Sequence, residues 1–224
     1  MIASQIPMDF DFRSALGRED FLVAPPNQEA IAWIDRWPDW PGPFLLIQGP
    51  GGSGKTHLAH VWQQRAGARV VNAASLAHMG IEALTDLIRT PIVLENVDAT
   101  TDEEKLFHLY NLVKENSGFM ILTSRTGPAQ WDLGLPDLKS RMGAIQIVRI
   151  TEPDDSLFAA VLLKLFTDRQ LSVSPDVLQY LIARLERSFG EAQRVVAAID
   201  ELSLAEKRKI TIPLVRNLLG TEKD

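Results

Sequence analysis

The sequence predicts an α/β protein in which a five-stranded parallel sheet, covered by helices on both faces, precedes a small domain made only of helices. Short apolar runs without polar alternation recur between residues 44 and 150, with helical patterns between them. Parallel strands that are buried on both faces have this pattern. After Thr151 only helical patterns follow. We therefore predict an extended tail at 1–20, a three-layer αβα base at 21–151 and an all-helical lid at 152–224.

Each element has its own local signal. Proline-rich segments at 25–26 and 38–43 enclose a first helix with Ala30, Ile31, Trp33 and Ile34 on its apolar face. In the base, strands are predicted at 44–47, 69–72, 92–94, 119–122 and 144–150, and helices at 54–66, 81–89 and 102–116. In the lid, helices are predicted at 153–169, 175–187, 190–207 and 212–219, with capping signals at Ser174 before Pro175 and at Thr151 before Pro153.

Composition and charge exclude several classes of function. The net charge of −6 disfavours strong autonomous DNA binding, which usually needs a basic surface to contact phosphates. The chain has no cysteine, which excludes a disulfide framework, a thiolate metal site and a cysteine nucleophile. No apolar run approaches the roughly 20 residues that span a bilayer, and the N-terminus has no secretory pattern. We expect a soluble, cytoplasmic protein without a membrane partner.

A phosphate-binding loop is predicted between the first strand and the helix that follows it. Residues 49–56 match the pattern G-x-x-x-x-G-K-[ST] in full, as Gly49, Pro50, Gly51, Gly52, Ser53, Gly54, Lys55 and Thr56. Small residues let backbone N–H groups converge on phosphates, and the next helix directs its positive N-terminus at them. Lys55 would reach the β- and γ-phosphates, and the Thr56 hydroxyl would bind Mg²⁺. The predicted cofactors are ADP or ATP with Mg²⁺.

A second Mg²⁺ ligand is predicted at the end of the third strand. P-loop proteins usually place an acidic residue at the end of a strand near the loop, and Glu95 follows the apolar run 92–94. Asp98 is an alternative acid that lies further along the chain. The other interpretation of Glu95 is that it only ends a buried strand at solvent.

Several segments together resemble AAA+ proteins related to the bacterial initiator DnaA, most closely the Hda-type regulators of DnaA. Besides the phosphate loop, the resemblance rests on residues 21–27, 107–111, 133–141 and 210–215, and it covers residues 5–220. It implies that Leu22, Val23 and Asn27 border the adenine pocket. Asn96 takes the position of the catalytic glutamate of hydrolytic relatives. Because asparagine cannot deprotonate water, the resemblance predicts nucleotide binding with weak or no intrinsic hydrolysis.

The resemblance also implies an arginine finger. Arg141 corresponds to the arginine that reaches the nucleotide of a neighbouring subunit, where it can stabilise charge on the transferred phosphoryl group. It would thereby promote hydrolysis of ATP bound to DnaA. The alternative interpretation is a local ion pair between Arg141 and Asp137, one helical turn away.

The sequence departs from the family at two sensor positions. The lid arginine that senses nucleotide corresponds to Gly190, so either Arg194 or Arg187, each about one turn away, replaces it or the contact is missing. Residues 123–125 occupy the polar sensor after the fourth strand, with Arg125 where relatives often have aspartate. The predicted nucleotide contacts are Leu22, Val23, Asn27, Pro50, Gly51, Gly52, Ser53, Gly54, Lys55, Thr56, His57 and Arg194.

The tail resembles the short peptide by which replication proteins dock on the sliding clamp of DNA polymerase. Gln5 would hydrogen-bond at the rim of an apolar pocket, while Met8 and Phe10 would enter it. The alternative is that Met8, Phe10 and Phe12 pack against the core of the chain itself.

These observations predict an AAA+ adaptor that binds the clamp through residues 5–10 and acts on DnaA through the Arg141 face. It would resemble the initiator's motor without the DNA-reading part, and it could form homo-oligomers. The alternative function is an AAA+ ATPase that acts as a helicase-loader or clamp-loader-type subunit. A small-molecule P-loop kinase is disfavoured by the helical region after residue 151.

Overall fold

The computed structural model describes Val23, residues 25–206 and residues 208–221. The predictions for the tail, at Gln5, Met8 and Phe10, and the prediction for Leu22 lie outside the described residues. Five parallel strands form one sheet: β1 (Phe44–Gln48), β2 (Arg69–Asn72), β3 (Ile92–Glu95), β4 (Met120–Ser124) and β5 (Gln146–Arg149). Their order across the sheet is β2-β3-β4-β1-β5. The predicted fold class is confirmed.

Helices precede, separate and follow these strands. Those of the base are α1 (Gln28–Arg36), α2 (Lys55–Ala66), α3 (Ile81–Leu87), α4 (Glu103–Glu115) and α5 (Pro136–Ala144), with short 3-10 helices at Ala73–His78 and Pro128–Gln130. Those of the lid are α6 (Asp155–Asp168), α7 (Pro175–Ile182), α8 (Phe189–Glu206) and α9 (Ile212–Thr221). None of the described helices is long and apolar enough to cross a bilayer.

The strands have apolar residues at their centres because each face of the sheet packs against its own hydrophobic layer. Phe44 and Leu46 of β1 contribute to a cluster with α3, α4 and α5. Their neighbours Leu45 and Ile47 contribute to a second cluster with α1 and α2. Successive side chains of a strand point to opposite faces, so each strand supplies both layers. The lid has a third, separate cluster formed by α6, α7, α8 and α9.

Several boundary predictions were wrong, and α7, for example, ends at Ile182 and not at residue 187. The fifth strand begins at Gln146 and not at residue 144, because α5 runs through Ala144. Helix α6 begins at Asp155 and is capped by Asp154, whose carboxylate accepts a hydrogen bond from the Leu157 N–H at 2.8 Å. Thr151, which was predicted as the capping signal, instead donates its backbone N–H to the Pro26 carbonyl at 3.1 Å.

Candidate functional site

The loop after β1 has a backbone that only small residues allow. A Cβ atom added to Gly49 would lie 2.5 Å from the Ile150 carbonyl oxygen and 2.8 Å from the Ser53 hydroxyl, so no side chain fits there. Gly52 and Gly54 have φ angles of +67° and +93°, in the left-handed region that glycine adopts most readily. The loop therefore turns tightly, and α2 begins directly after it.

Lys55 is buried inside this loop and not extended into solvent. Its Nζ donates hydrogen bonds to the carbonyl oxygens of Gly49 at 2.8 Å and Pro50 at 2.6 Å. Burial lowers the pKa of Lys55, and the positive charge of Arg125 lowers it further. The Ser53 hydroxyl oxygen is buried beside them without a hydrogen-bond partner in the structure. A buried cation and an unpartnered hydroxyl in a glycine-rich turn fit an anionic ligand such as phosphate.

Glu95 is the last residue of β3. Strand β4 lies between β3 and β1 and so connects this end of β3 to the phosphate loop after β1. The Thr123 hydroxyl accepts a hydrogen bond from the Asn96 N–H at 3.1 Å, and the Ser124 hydroxyl donates to the Val97 carbonyl at 2.5 Å. The Gly49 N–H donates to the Ser124 carbonyl at 3.1 Å. These bonds fix the end of β3 and the start of the loop to the same two residues of β4.

Glu95 fits a Mg²⁺ ligand better than Asp98 does. One carboxylate oxygen of Glu95 is buried and has no hydrogen-bond partner. The Asp98 carboxylate accepts hydrogen bonds from the Thr100 side chain at 2.6 Å and the Thr100 N–H at 2.8 Å, which lower the pKa of Asp98. Among the described residues no group of three or more acidic or histidine side chains could hold a metal. Mg²⁺ commonly uses one or two carboxylates together with phosphate oxygens and water.

A cleft of about 770 Å³ lies between the loop and the lid. From the base it is lined by Asn27, Gly52, Ser53, Gly54, Lys55, Thr56, His57 and His60. From α6 and α8 it is lined by Val161, Lys164, Leu165, Asp168, Arg169, Phe189, Gly190, Gln193, Arg194 and Ala197. Apart from Gly190 and Arg194, the sequence analysis missed the lid residues, because their helical pattern does not show which face meets the cleft.

The lid touches the phosphate loop through backbone atoms. The Gly190 N–H donates to the Gly52 carbonyl at 3.1 Å, and a Cβ on Gly190 would lie 3.3 Å from the Gly52 Cα. An arginine at position 190 would therefore press against the loop, which explains the glycine there. Arg194 lines the cleft and pairs with Glu191 at 2.8 Å, whereas Arg187 pairs with Asp155 outside it. The geometry favours Arg194 over Arg187 as a nucleotide contact.

Three residues predicted to contact the nucleotide lie apart from the cleft lining. Val23 is half-buried and packs against the cluster that includes α1 and α2. Pro50 and Gly51 belong to the phosphate loop but are not among the residues that line the cleft. Asn27, by contrast, is almost fully buried and lines the cleft, as His57 does.

Arg141 lies outside the cleft of its own chain. On α5, its guanidinium stands over the Phe107 ring at 4.7 Å and the Tyr110 ring at 5.5 Å from the ring centroids. It also donates a hydrogen bond to the Asn111 side-chain oxygen. The partners of Arg141 are thus on α4, and the structure shows no ion pair between Arg141 and Asp137 among the residues that it describes.

Comparison with known proteins shows similarity in the lid sequence and in the fold. Residues 155–219 match the family model of the Hda lid domain. Domain III of the replication initiation protein DnaA from Thermotoga maritima has a TM-score of 0.77 at 16% identity, over 91% of this chain and 95% of that chain. The chain is thus similar to DnaA domain III in its fold and to Hda proteins in its lid.

Other AAA+ structures share the fold. AMPPCP-bound DnaA from Aquifex aeolicus has a TM-score of 0.66 at 20% identity, over 83% of this chain and 65% of that chain. One mutant form of RuvB from Thermotoga maritima has a TM-score of 0.68 at 13% identity, over 87% of this chain and 67% of that chain. This chain therefore spans about two thirds of the length of each of these two structures.

Proposed function

We propose that this protein is a cytoplasmic, nucleotide-binding adaptor. It would dock on the sliding clamp and promote hydrolysis of the ATP that is bound to DnaA. It would thereby negatively regulate initiation of chromosomal replication. The observation that carries the proposal is a complete phosphate loop facing a cleft beneath an Hda-type lid. The AMPPCP-bound DnaA from Aquifex aeolicus, which has the same fold, supports nucleotide binding.

In this proposal the bound nucleotide is ADP or ATP. The backbone N–H groups of residues 52–56 and the Lys55 ammonium hold its phosphates, while Thr56 and Glu95 hold Mg²⁺. Arg194 contacts the nucleotide from the lid side of the cleft. The bound Mg²⁺ supplies positive charge that offsets the charge of the phosphates.

The chain itself would hydrolyse ATP weakly or not at all. Asn96 follows Glu95 with an exposed side chain and a φ angle of +61°. Its amide has no basic site that could take a proton from an attacking water. The proposed role of the nucleotide is therefore to set the conformation of the adaptor and not to supply energy by turnover in this chain.

Arg141 is the group that would act on the partner's nucleotide. Its position outside the chain's own cleft is compatible with action in trans. In the free chain the aromatic rings of Phe107 and Tyr110 and the amide of Asn111 hold the guanidinium against α4. A guanidinium that enters the active site of a neighbouring ATPase can stabilise charge on the γ-phosphoryl group during transfer.

Docking on the clamp would bring this arginine to replication forks. The candidate docking residues are Gln5, Met8 and Phe10, which lie outside the described residues. The chain has a net charge of −6, which disfavours binding to DNA phosphates. This charge supports recruitment by a protein partner.

The test is a reconstituted hydrolysis assay with DnaA loaded with radiolabelled ATP, the sliding clamp on DNA and this protein. We expect Arg141→Ala to retain clamp binding but to lose stimulation by on the order of a thousandfold, the usual contribution of an arginine supplied in trans. We expect Gln5→Ala/Phe10→Ala to lose clamp binding and stimulation together. Arg149→Ala, which removes an exposed arginine of the base, is the control and should retain both.

Three results would contradict the proposal. If wild-type protein leaves DnaA-bound ATP unchanged in the presence of clamp, the proposed regulatory activity is wrong. If Arg141→Ala stimulates as well as wild type, the finger assignment is wrong. If the purified chain hydrolyses ATP rapidly by itself, a helicase-loader or clamp-loader-type ATPase explains the site better.

A further inference from the structure

The carboxylate of Glu103, the first residue of α4, holds the segment that leads into α5. It accepts hydrogen bonds from the Gly134 N–H at 2.9 and 3.0 Å, one to each carboxylate oxygen, and from the Leu135 N–H at 2.9 Å. Leu135 is the N-cap of α5. In many helices an acidic residue at the third helical position accepts the N–H of the N-cap. In α5 that position is Leu138, so Glu103 supplies the same bond from another helix.

Arg141 makes a second contact between α5 and α4. Its guanidinium lies over the rings of Phe107 and Tyr110, and it donates a hydrogen bond to the side-chain oxygen of Asn111. These three residues follow Glu103 by four, seven and eight positions, a spacing that puts them on one face of α4. The same face of α4 therefore holds α5 both at its N-cap and at Arg141.

The bonds of Glu103 fix a direction that apolar packing leaves open. Leu138 and Met142 are fully buried in the cluster beneath α5. Such apolar contacts are not directional, whereas hydrogen bonds weaken steeply when their angle changes. Arg141 lies less than two helical turns from Leu135. A change in the tilt of α5 at its N-cap therefore changes the position of the Arg141 guanidinium.

We propose that Glu103 is a positioning residue for Arg141. By holding the N-cap of α5 against α4, it sets the direction in which Arg141 is presented to the nucleotide of a partner. The inference rests on the proposed function and adds the residue that orients the arginine finger. Glu103 itself would not contact that nucleotide. Its loss should lower the maximal rate of hydrolysis and not the affinity between the two proteins.

The first test uses the full chain in the reconstituted assay with ATP-loaded DnaA and the clamp on DNA. Glu103→Ala should lower the maximal stimulation roughly tenfold to a hundredfold, the usual effect of displacing a catalytic group by about 1 Å. The adaptor concentration for half-maximal stimulation should not change. Glu103→Gln keeps one acceptor oxygen and should fall between Glu103→Ala and wild type.

Two further variants separate positioning from a general effect on α4. Glu104→Ala is the matched control, because Glu104 is an exposed acidic residue in the same first turn of α4. It should stimulate as wild type does. Adding Glu103→Ala to Arg141→Ala should cause no further loss, since Glu103 acts through Arg141. Thermal unfolding curves show that each variant is folded at the assay temperature.

The second test needs no partner protein. The Nε–H resonance of Arg141, assigned by its disappearance in Arg141→Ala, senses the ring currents of Phe107 and Tyr110. Glu103→Ala should move this resonance towards the value of an exposed arginine, whereas Glu104→Ala should leave it in place.

Several results would overturn the inference. An unchanged Arg141 resonance in Glu103→Ala is one. Equal losses of stimulation in Glu103→Ala and Glu104→Ala are another, because they would indicate an effect of charge at the start of α4. A further loss when Glu103→Ala is added to Arg141→Ala would show that Glu103 acts by another route. If wild-type protein does not stimulate hydrolysis, the proposed function fails, and the resonance still decides whether Glu103 holds Arg141 against α4.

Discussion

Gly52 connects the phosphate loop to the lid at the scale of single atoms. Its carbonyl accepts the Gly190 N–H, and its Cα lies so close to Ser188 that an added Cβ would stand 2.4 Å from the Ser188 hydroxyl oxygen. Its φ angle of +67° is one that L side chains rarely adopt. Both the conformation and the contact therefore require glycine at this position.

A Gly52→Ala substitution should separate the lid from the loop. We expect it to destabilise the protein by about 1–3 kcal/mol beyond the strain of its positive φ, because the new methyl group overlaps the Ser188 side chain. Combining Gly52→Ala with Ser188→Gly should recover most of this additional loss of stability, because it removes the side chain that the new methyl group overlaps. Urea unfolding of the two single variants and the double variant measures the coupling.

Gly67 supplies a matched control for that experiment. Its φ angle is +63°, yet nothing lies within 4 Å of an added Cβ. Gly67→Ala should therefore cost only about 1–2 kcal/mol for the left-handed conformation, and Ser188→Gly should not recover any of it. Equal losses in Gly52→Ala and Gly67→Ala, with no recovery by Ser188→Gly, would refute the contact between lid and loop.

At the scale of elements, the start of α6 depends on one aspartate. The Asp154 carboxylate accepts hydrogen bonds from the Leu157 N–H and the Ser156 hydroxyl, and these bonds lower the pKa of Asp154 below its ordinary value of 3.8. Ser174 stands at the equivalent position of α7, but its side chain makes no capping hydrogen bond. The two lid helices thus have different N-terminal stabilisation despite similar local sequences.

Asp154→Ala should lower the melting temperature at pH 7 by about 2–4 °C, since it leaves the first turn of α6 uncapped. A group whose pKa is lowered by folding stabilises the folded state above its unfolded pKa and loses this effect as pH falls through its folded pKa. The difference between variant and wild type should therefore shrink below pH 3.8.

Calorimetric melting curves at several pH values measure this difference. Ser174→Ala is the control, and it should leave the melting temperature close to that of wild type. A larger effect of Ser174→Ala than of Asp154→Ala would show that the assigned cap of α6 is wrong.

At the scale of the whole molecule, base and lid have separate hydrophobic clusters and share the cleft between them. Because residues from α2, α6 and α8 line the same space, a ligand there contacts both domains at once. A ligand that binds only the folded state stabilises it in proportion to the logarithm of its concentration.

Nucleotide should therefore raise the melting temperature of the whole protein. At a hundredfold excess over its dissociation constant, ADP or AMPPCP with Mg²⁺ should add about 2.7 kcal/mol of stability, or about 5–10 °C. Lys55→Ala should abolish the shift. Differential scanning fluorimetry across a nucleotide titration measures it, and hydrogen exchange of α8 shows whether the lid is protected as well. A titration that protects α2 but leaves α8 unchanged would contradict a shared site.

The sequence by itself determined the elements and the chemistry that depends on adjacent residues. The strands follow from apolar runs, the phosphate loop from the spacing of Gly49, Gly54 and Lys55, and the acidic strand end from Glu95 after three apolar residues. These signals are local, because hydrogen bonding and side-chain periodicity within one segment produce them. The match of residues 155–219 to the Hda lid model and the fold shared with DnaA domain III confirm the resemblance to DnaA- and Hda-related proteins.

Only the tertiary structure decided which distant segments meet. Helix α5 occupies part of the segment that was predicted as the fifth strand, and Gly190 contacts Gly52. Arg194 and not Arg187 lines the cleft, and Arg141 contacts residues of α4. Residues that are far apart in the chain make these contacts, and their approach depends on how whole helices pack. No local pattern encodes that packing, which also makes the space for a Cβ at position 190 tight.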